Sequence, residues 1–166
     1  MPVLISYRTP IAEQWVDYNG HLRDAFYLLI FSHATDAFME RIGLGADSRE
    51  QQGHTLFTLE CHLNYLHEVK LGTEVWVQTR ILGFDHKRLH LYHSLHRDGF
   101  GPTLAASEQM LLHVALAGPV AAPFTATTVA CLQAIVEAQS DLEPPSHVGR
   151  VIGLPGKVGA GGRVCL

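Results

Sequence analysis

Apolar side chains recur with a helical period in one long segment of the chain. Across residues 24–42 they are spaced three or four apart, which predicts an amphipathic helix with a wide apolar face. Because that face is wide, the helix is expected to be mostly buried, and Gly43 and Gly45 are expected to end it. Its apolar positions are Ala25, Leu28, Leu29, Phe31, Ala34, Phe38 and Ile42.

Other segments alternate apolar and polar residues with the period of two that is typical of strands. Residues 2–16 predict a first strand, which the Thr9-Pro10 pair disturbs. Short turn signals separate the later segments and indicate an antiparallel sheet. The pattern therefore predicts an α+β fold with one long helix and a meander of strands. The four later strands are predicted at residues 54–67, 74–84, 88–97 and 104–117.

The last quarter of the chain has a different composition. Residues 125–139 predict a helix, and after the Pro144-Pro145 pair the last eighteen residues contain six glycines. A tail of this kind has little to bury and is expected to be mobile. We therefore predict a main domain at residues 1–120, a C-terminal helix at 121–140 and a tail at 141–166, without a second domain.

Composition narrows the class of protein. A chain of 166 residues with 47% hydrophobic and 17% charged residues is long enough for one ordered core. The net charge of -4 argues against a nucleic-acid partner. The three cysteines lack the spacing of a zinc site or a disulfide framework, which favours the cytoplasm. No apolar run approaches the ~18 residues of a membrane span, and no signal peptide is evident, so a soluble protein that is not exported is expected.

A short polar segment just before the long helix has the residue types of an active site. Asp17, Asn19 and His21 supply a carboxylate, an amide and an imidazole within five residues, and Asn19-Gly20 marks a tight turn. For any one of them turn chemistry is the more ordinary explanation: Asp17 and Asn19 would satisfy turn backbone, and His21 would be a partly exposed loop residue. The three together favour an acid–base site.

The start of the helix adds an electrostatic feature to this segment. Asp24 is expected to cap the helix. A helix N-terminus presents unpaired N–H groups and partial positive charge. The backbone N–H of Asp24 or Ala25 is therefore the predicted donor to an oxyanion.

The sequence around the turn resembles a known enzyme family. D-x-N-G-H-L at residues 17–22, followed by the apolar helix, is similar to single hot-dog-fold acyl-CoA thioesterases of the 4-hydroxybenzoyl-CoA thioesterase type, and its D-x-N-x-H core also resembles plant acyl-ACP thioesterases. The nearer resemblance is to the betainyl-CoA thioesterases of carnitine degradation, which also occur fused to carnitine dehydrogenase. It covers about residues 5–120 and is carried by residues 16–22, by 57–62 with 68–72, and by 87–93 with 107–114.

This resemblance implies a fold, an activity and an assembly. The fold is the hot-dog fold, a curved antiparallel β-sheet wrapped around a long central α-helix. The activity is hydrolysis of an acyl-CoA thioester, with betainyl-CoA as the candidate substrate and without a metal or organic cofactor. Family members pair their sheets, so a homodimer or homotetramer with the acyl site between chains is expected. Two alternatives stay open: a hot-dog acyl-CoA hydratase or dehydratase, and a non-catalytic acyl-CoA-binding protein.

In the implied mechanism Asp17 is either the nucleophile or the general base, and the sequence does not choose between them. Asn19 would orient the attacking water or the carbonyl. His21 would relay a proton or position the thioester. A thiolate leaves readily, so no strong acid is required.

A second acid–imidazole pair lies on a predicted strand. Glu60 and His62 share a face by the period of two, with Thr58 and Asn64 in register. Such a polar face is equally typical of the solvent side of an antiparallel sheet. The pair also recurs in the betainyl-type sequences, which favours a functional role. Glu60 would assist Asp17 or hold a cationic acyl group, and the pattern does not separate these roles.

Further residues are candidates for substrate contact. Aromatic rings would pack against a trimethylammonium group, and cations at strand ends would bind the CoA phosphates. Each has an ordinary alternative, since aromatic residues usually pack in cores and surface cations are usually solvated. The histidines of residues 90–96 lack a nearby ligand set, and no metal site is predicted. The candidates are Tyr18, Tyr27, His62 and Tyr65 for the acyl group, and Lys70, Lys87 and Arg88 for CoA.

Overall fold

Residues 3–154, which the computed structural model describes, form a six-stranded antiparallel sheet and three α-helices. The strand order across the sheet is β1-β3-β4-β5-β2, and the short β6 pairs with β5. The elements are β1 (Leu4–Pro10), α1 (Asp24–Arg41), α2 (Ala46–Gln52), β2 (His54–Tyr65), β3 (Glu74–Phe84), β4 (Arg88–Arg97), β5 (Phe100–Ala115), β6 (Val120–Ala121) and α3 (Ala126–Ala138).

The long helix α1 packs on one face of the curled sheet, which is the hot-dog arrangement. The predicted fold class is therefore confirmed, as are the long helix and the four strands that follow it. The first strand is shorter than predicted: β1 stops at Pro10, and a 3₁₀-helix follows at Glu13–Trp15. The predictions missed α2 and β6, because α2 has a polar sequence without an apolar period and β6 has two residues.

Both ends of α1 have a local explanation. Arg23 is the N-cap and has an extended backbone, so the capping role predicted for Asp24 was wrong. Asp24 is the first helical residue, and its Oδ1 accepts the backbone N–H of Ala25 at 2.8 Å. The helix ends at Arg41, and Gly43 just after it adopts a φ of +77°, as the sequence pattern predicted. In residues 3–154, every helix is too short or too polar to span a membrane.

A polar layer separates two apolar clusters beneath α1. The His93 imidazole is fully buried, with Nδ1 2.9 Å from Thr79 Oγ1 and Nε2 3.0 Å from Thr35 Oγ1. Thr35 also contacts Gln109 Oε1 at 3.3 Å. Burial lowers the pKa of His93 to about 3, so the ring is neutral. These contacts tie α1 to the strands, and we call the sheet face that carries His93 and Gln109 the helix face.

Strand β2 forms one edge of the sheet and contains a β-bulge. Thr58 pairs with Leu111, whereas Glu60 pairs with Met110. Because neighbouring residues of β5 point to opposite faces, Thr58 and Glu60 also lie on opposite faces. The predicted polar face of β2 was therefore wrong at Thr58: the extra residue of the bulge shifts the period of two.

The C-terminal segment crosses the other side of the sheet, which we call the outer face. Arg80 Nη2 donates to the carbonyl of Leu142 at 3.2 Å, and the N–H of Gly149 donates to Glu108 Oε2 at 2.7 Å. Tyr92 lies between Arg80 and Glu108 in the ladder and is only 4% exposed. We call residues 142–150 the strap. Mobility of the tail stays a prediction, and residues 155–166 lie outside the described residues.

Candidate active site

The segment before α1 forms a closed turn. The N–H of Asp17 donates to the carbonyl of His21 at 2.9 Å, and the N–H of Gly20 donates back to the carbonyl of Asp17 at 3.0 Å. Gly20 has a φ of +76°, a conformation that an L side chain would strain. The turn predicted at Asn19-Gly20 is present, and it holds Asp17 and His21 side by side.

The Asp17 carboxylate is organised by this turn. Its Oδ1 accepts the backbone N–H of Asn19 at 2.8 Å and that of His21 at 3.1 Å. These bonds, above all the one from His21, hold the pKa of Asp17 below its ordinary value and favour the ionised form. Turn chemistry thus accounts for one oxygen. The other, Oδ2, accepts no hydrogen bond within residues 3–154, so it is available to a substrate or a water.

The loop between β2 and β3 holds the imidazole of His21. Residues 21 and 70 form an isolated β-bridge, and the N–H of Leu22 donates to the carbonyl of Val69 at 2.8 Å. His21 Nε2 lies 3.4 Å from Glu68 Oε2, and the His21 side chain is 29% exposed. The imidazole therefore stays accessible while a neighbouring carboxylate orients it. The sequence analysis gave Glu68 no role. Residues 68–72 belong to the segments that carry the family resemblance, and this was the available signal for Glu68.

Two tyrosines lie beside the first turn of α1. Tyr65 donates to the carbonyl of Asp24 at 3.2 Å, and its ring meets that of Tyr27 edge to face at 5.3 Å. The Tyr27 hydroxyl donates to the carbonyl of His67 at 3.3 Å, and burial raises the pKa of Tyr27 to about 12. Tyr27 is therefore a neutral, buried support, whereas Tyr65 is 53% exposed and presents a ring to an incoming group.

The predicted oxyanion donors differ in their availability. The N–H of Ala25 is bonded to the side chain of Asp24, so it is occupied. The N–H of Asp24 has no acceptor within the described residues and lies at the positive end of the helix. Of the two candidates, only Asp24 has a free N–H in this structure.

Asn19 and Tyr18 lie on the outside of the turn. The side chain of Tyr18 is 94% exposed, and Asn19 is also exposed. In a single chain neither side chain is packed against the rest of the fold. Both side chains are therefore accessible to a substrate or to a second chain.

Glu60 and His62 are not brought to the Asp17 turn of the same chain. They pair with Met110 and Glu108, whereas Cys61 between them pairs with Gln109 on the helix face. Alternation along the strand therefore places Glu60 and His62 on the outer face, away from α1. No hydrogen bond or ion pair within residues 3–154 joins Glu60 to Asp17.

The three candidate cations fall into two places. Lys70 lies beside the turn, where its backbone pairs with that of His21 in the isolated β-bridge. Lys87 lies in the β3–β4 turn at the far end of the sheet, and Arg88 begins β4 there and forms an ion pair of 2.6 Å with Asp85. Strand β3 has 11 residues, which corresponds to roughly 33 Å between the two places. Within one chain the three do not form a single phosphate site.

Comparison with known proteins identifies the family. The model of the thioesterase-like superfamily matches residues 11–134. The chain belongs to this superfamily. The thioester hydrolase that the family resemblance implied is thereby confirmed.

Individual relatives of this thioesterase match nearly its whole length. It is 60% identical over 153 residues to the betainyl-CoA thioesterase of Pseudomonas aeruginosa, covering 92% of this chain and 96% of that protein. The crystal structure of a candidate thioesterase from Pseudomonas putida KT2440 gives a TM-score of 0.84 at 68% identity, covering 93% of this chain and 99% of that one. A hypothetical Staphylococcus aureus protein, solved in complex with CoA, gives 0.86 at 29% identity, covering 93% and 98%.

Metal ligation has no geometric support in the described part of this thioesterase. No group of three or more His, Cys, Asp or Glu side chains in residues 3–154 is placed to hold a metal ion. The histidine-rich strand β4 instead splits its imidazoles between the two faces of the sheet. His93 is in the core, and His90 Nε2 contacts Glu108 Oε1 at 2.7 Å on the outer face.

Proposed function

We propose that this thioesterase hydrolyses betainyl-CoA to trimethylglycine and CoA, and that the Asp17 turn is its catalytic site. The observation that supports betainyl-CoA as the substrate is the 60% identity to the Pseudomonas aeruginosa betainyl-CoA thioesterase over 92% of the chain. The catalytic assignment is supported by the geometry of the turn, which combines an ionised carboxylate, one free carboxylate oxygen and an adjacent helix N-terminus.

The chemistry needs a base or nucleophile and an oxyanion donor. Asp17 Oδ2 takes a proton from the attacking water or attacks the carbonyl itself. The negative charge that develops on the carbonyl oxygen is met by the N–H of Asp24 and by the partial positive charge of α1. The CoA thiolate then leaves with the bonding electron pair, and on the route in which Asp17 is the nucleophile, water hydrolyses the resulting Asp17–acyl anhydride to trimethylglycine and the free carboxylate. His21, oriented by Glu68, positions the thioester or relays the proton.

The cationic acyl group has a candidate binding surface beside the turn. The exposed ring of Tyr65 offers an aromatic face for a trimethylammonium group. Glu68, whose side chain is 74% exposed, and the exposed Asp24 are carboxylates of the same region. We assign the binding of the cationic group to these residues instead of Glu60, because Glu60 lies on the outer face.

A homodimer completes this proposal. Within residues 3–154, strand β2 is an unpaired sheet edge that exposes large apolar side chains, and Leu28 of α1 is 44% exposed. An unpaired apolar edge is a surface that proteins usually cover. Pairing two β2 edges antiparallel about a two-fold axis would bury both. The exposed apolar residues of β2 are Phe57, Leu59 and Tyr65.

The same pairing would account for the separated cations. With antiparallel β2 edges, the far end of one sheet lies beside the near end of the other. Lys87 and Arg88 of one copy would then lie at the same end of the dimer as Lys70 of the other copy. The three candidates for the CoA phosphates are thus proposed to act between chains. A cytoplasmic location is also part of the proposal, supported by the free thiols of Cys61 and Cys131.

A matched pair of substrates tests the proposed acyl group. 3,3-Dimethylbutyryl-CoA has the shape of betainyl-CoA with carbon in place of the quaternary nitrogen. A cation held by an aromatic face and a carboxylate gains on the order of 1–3 kcal/mol over its neutral isostere. We expect kcat/KM for betainyl-CoA to be roughly tenfold to a hundredfold higher in a thiol-release assay. Equal values would remove the substrate assignment and leave the thioesterase assignment intact.

A further inference from the structure

The outer face of the sheet contains a pocket that the proposed hydrolysis does not use. It has a volume of about 290 Å³. Its wall includes Glu60 and His62 from β2, His90 from β4, Glu108 from β5 and Arg150 from the strap. Because these positions face away from α1, the pocket is separated from the Asp17 turn by the sheet. It contains the acid–imidazole pair of β2, which the catalytic proposal leaves without a role.

The strap builds one wall of this pocket. Glu108 uses both carboxylate oxygens, since Oε1 contacts His90 Nε2 at 2.7 Å and Oε2 accepts the N–H of Gly149 at 2.7 Å. Gly149 has a φ of +68°, which favours glycine at this position. Arg80 holds the other end of the strap through the carbonyl of Leu142. These contacts place Arg150 at the pocket.

Two opposite charges at the pocket remain without a partner. Within residues 3–154, neither the Glu60 carboxylate nor the Arg150 guanidinium forms a hydrogen bond or an ion pair, although both residues line the same cavity. The two oxygens of Glu108 are engaged by His90 and by the Gly149 N–H, and neither forms an ion pair with Arg150 within residues 3–154. Both side chains are exposed to solvent, so a ligand that carries a positive and a negative group would replace part of their hydration with two ion pairs at once, whereas a singly charged ligand would form one.

We propose that the outer-face pocket binds a small zwitterion, with its ammonium group at Glu60 and its carboxylate at Arg150. The volume lies just below the ~300–1,000 Å³ of pockets for drug-sized ligands, so the ligand is small. The pocket is therefore a second binding site, distinct from the acyl site. The site itself is independent of the proposed function. Only the choice of trimethylglycine as the first probe rests on it, because that zwitterion is the proposed product.

The experiment is calorimetric titration of trimethylglycine into the full-length protein. Wild type and Asp17→Asn are expected to bind equally, because the pocket lies on the other face of the sheet. Glu60→Gln and Arg150→Gln are each expected to weaken binding at least tenfold. Glu137→Gln and Arg41→Gln, which remove exposed charges that do not line the pocket, are matched controls and should bind as wild type.

Ligands with a single charge test the zwitterion requirement. Tetramethylammonium keeps the cation, and 3,3-dimethylbutyrate keeps the carboxylate and the shape. Each should bind at least tenfold more weakly than trimethylglycine. Binding of either one as tightly as the zwitterion overturns the proposal.

The remaining outcomes are also decisive. If Asp17→Asn abolishes binding while Glu60→Gln does not, trimethylglycine occupies the acyl site and the second site is rejected. If neither trimethylglycine nor unmethylated glycine binds to wild type, the second site is likewise rejected, and hydrolysis of betainyl-CoA is unaffected by that result. If glycine binds with the same sensitivity to Glu60→Gln and Arg150→Gln, the site is supported even when betainyl-CoA is not the preferred substrate.

Discussion

The Asp17 turn and the outer-face pocket both combine a carboxylate with an imidazole, but the fold fixes them in different ways. Asp17 is held by a turn whose hydrogen bonds join its own residues, and the same turn and one adjacent loop hold His21. The outer-face pocket takes its wall from three strands and the strap. A local turn keeps a carboxylate in a fixed geometry, which catalysis requires. A wall made of distant segments suits binding, because a substitution in one of these segments leaves the Asp17 turn unchanged.

The largest expected effect separates these two regions. Asp17→Asn keeps the shape of the side chain and removes the charge that attacks or takes a proton, so kcat should fall by roughly 10³-fold. Glu60→Gln makes the same chemical change on the outer face and should reduce kcat less than about tenfold. Thiol release from betainyl-CoA measures both variants, and circular dichroism and light scattering check that each variant keeps its fold and assembly.

The comparison has a clear contrary result. Near-normal turnover by Asp17→Asn would make Asp17 a turn residue only and would remove the proposed mechanism. A loss of similar size in both variants would mean that Glu60 takes part in the chemistry after all, through a second chain.

The same contrast explains what could be predicted from the sequence. The long helix, the turn at Gly20 and the closeness of Asp17 to His21 depend on local patterns, and the structure has them. The face of Glu60 depends on a bulge in β2 and on pairing with Met110 of β5, which lies 50 residues further along the chain. Strand periodicity carries no signal for a bulge. The strap contacts also depend on distant partners that no local pattern reveals.

The next effect concerns the sheet edge that the catalytic proposal needs. Leu59 is 56% exposed on β2, and Leu59→Lys would bury a charge in the proposed β2–β2 contact. An unpaired buried charge costs about 3 kcal/mol or more, which corresponds to at least a ~100-fold weaker dimer. Analytical ultracentrifugation measures this change, and hydrolysis should become dependent on protein concentration.

A lysine elsewhere on the surface provides the control for that variant. Val136 is 38% exposed on α3, away from the β2 edge, and Val136→Lys should leave the assembly unchanged. A wild-type protein that is monomeric and fully active at low concentration would remove the model of a site shared between chains.

The smallest of the three expected effects is a change in the free energy of unfolding with pH. It is tested by comparing histidines on the two faces of β4. His93 is buried among threonines on the helix face, and burial lowers its pKa from 6.5 to about 3. Between these pH values the unfolded chain binds more protons than the folded one, so the free energy of unfolding falls as pH falls from about 6.5 towards 3. The slope reaches at most ~1.4 kcal/mol per pH unit, and the expected loss at pH 5 is about 2 kcal/mol relative to pH 8.

Chemical denaturation at pH 8 and at pH 5 measures this loss in three proteins. His93→Gln keeps a side chain able to bond to Thr35 and Thr79 but removes the imidazole. It should therefore show a smaller stability difference between the two pH values, even though its stability at pH 8 is lower than that of wild type. His90→Gln removes an imidazole from the outer face and retains His93, so most of the acid sensitivity should persist. If wild type and His93→Gln lose the same free energy of unfolding between pH 8 and pH 5, the core histidine does not set the acid sensitivity. Removal of the imidazole would then have changed no proton binding that is coupled to folding.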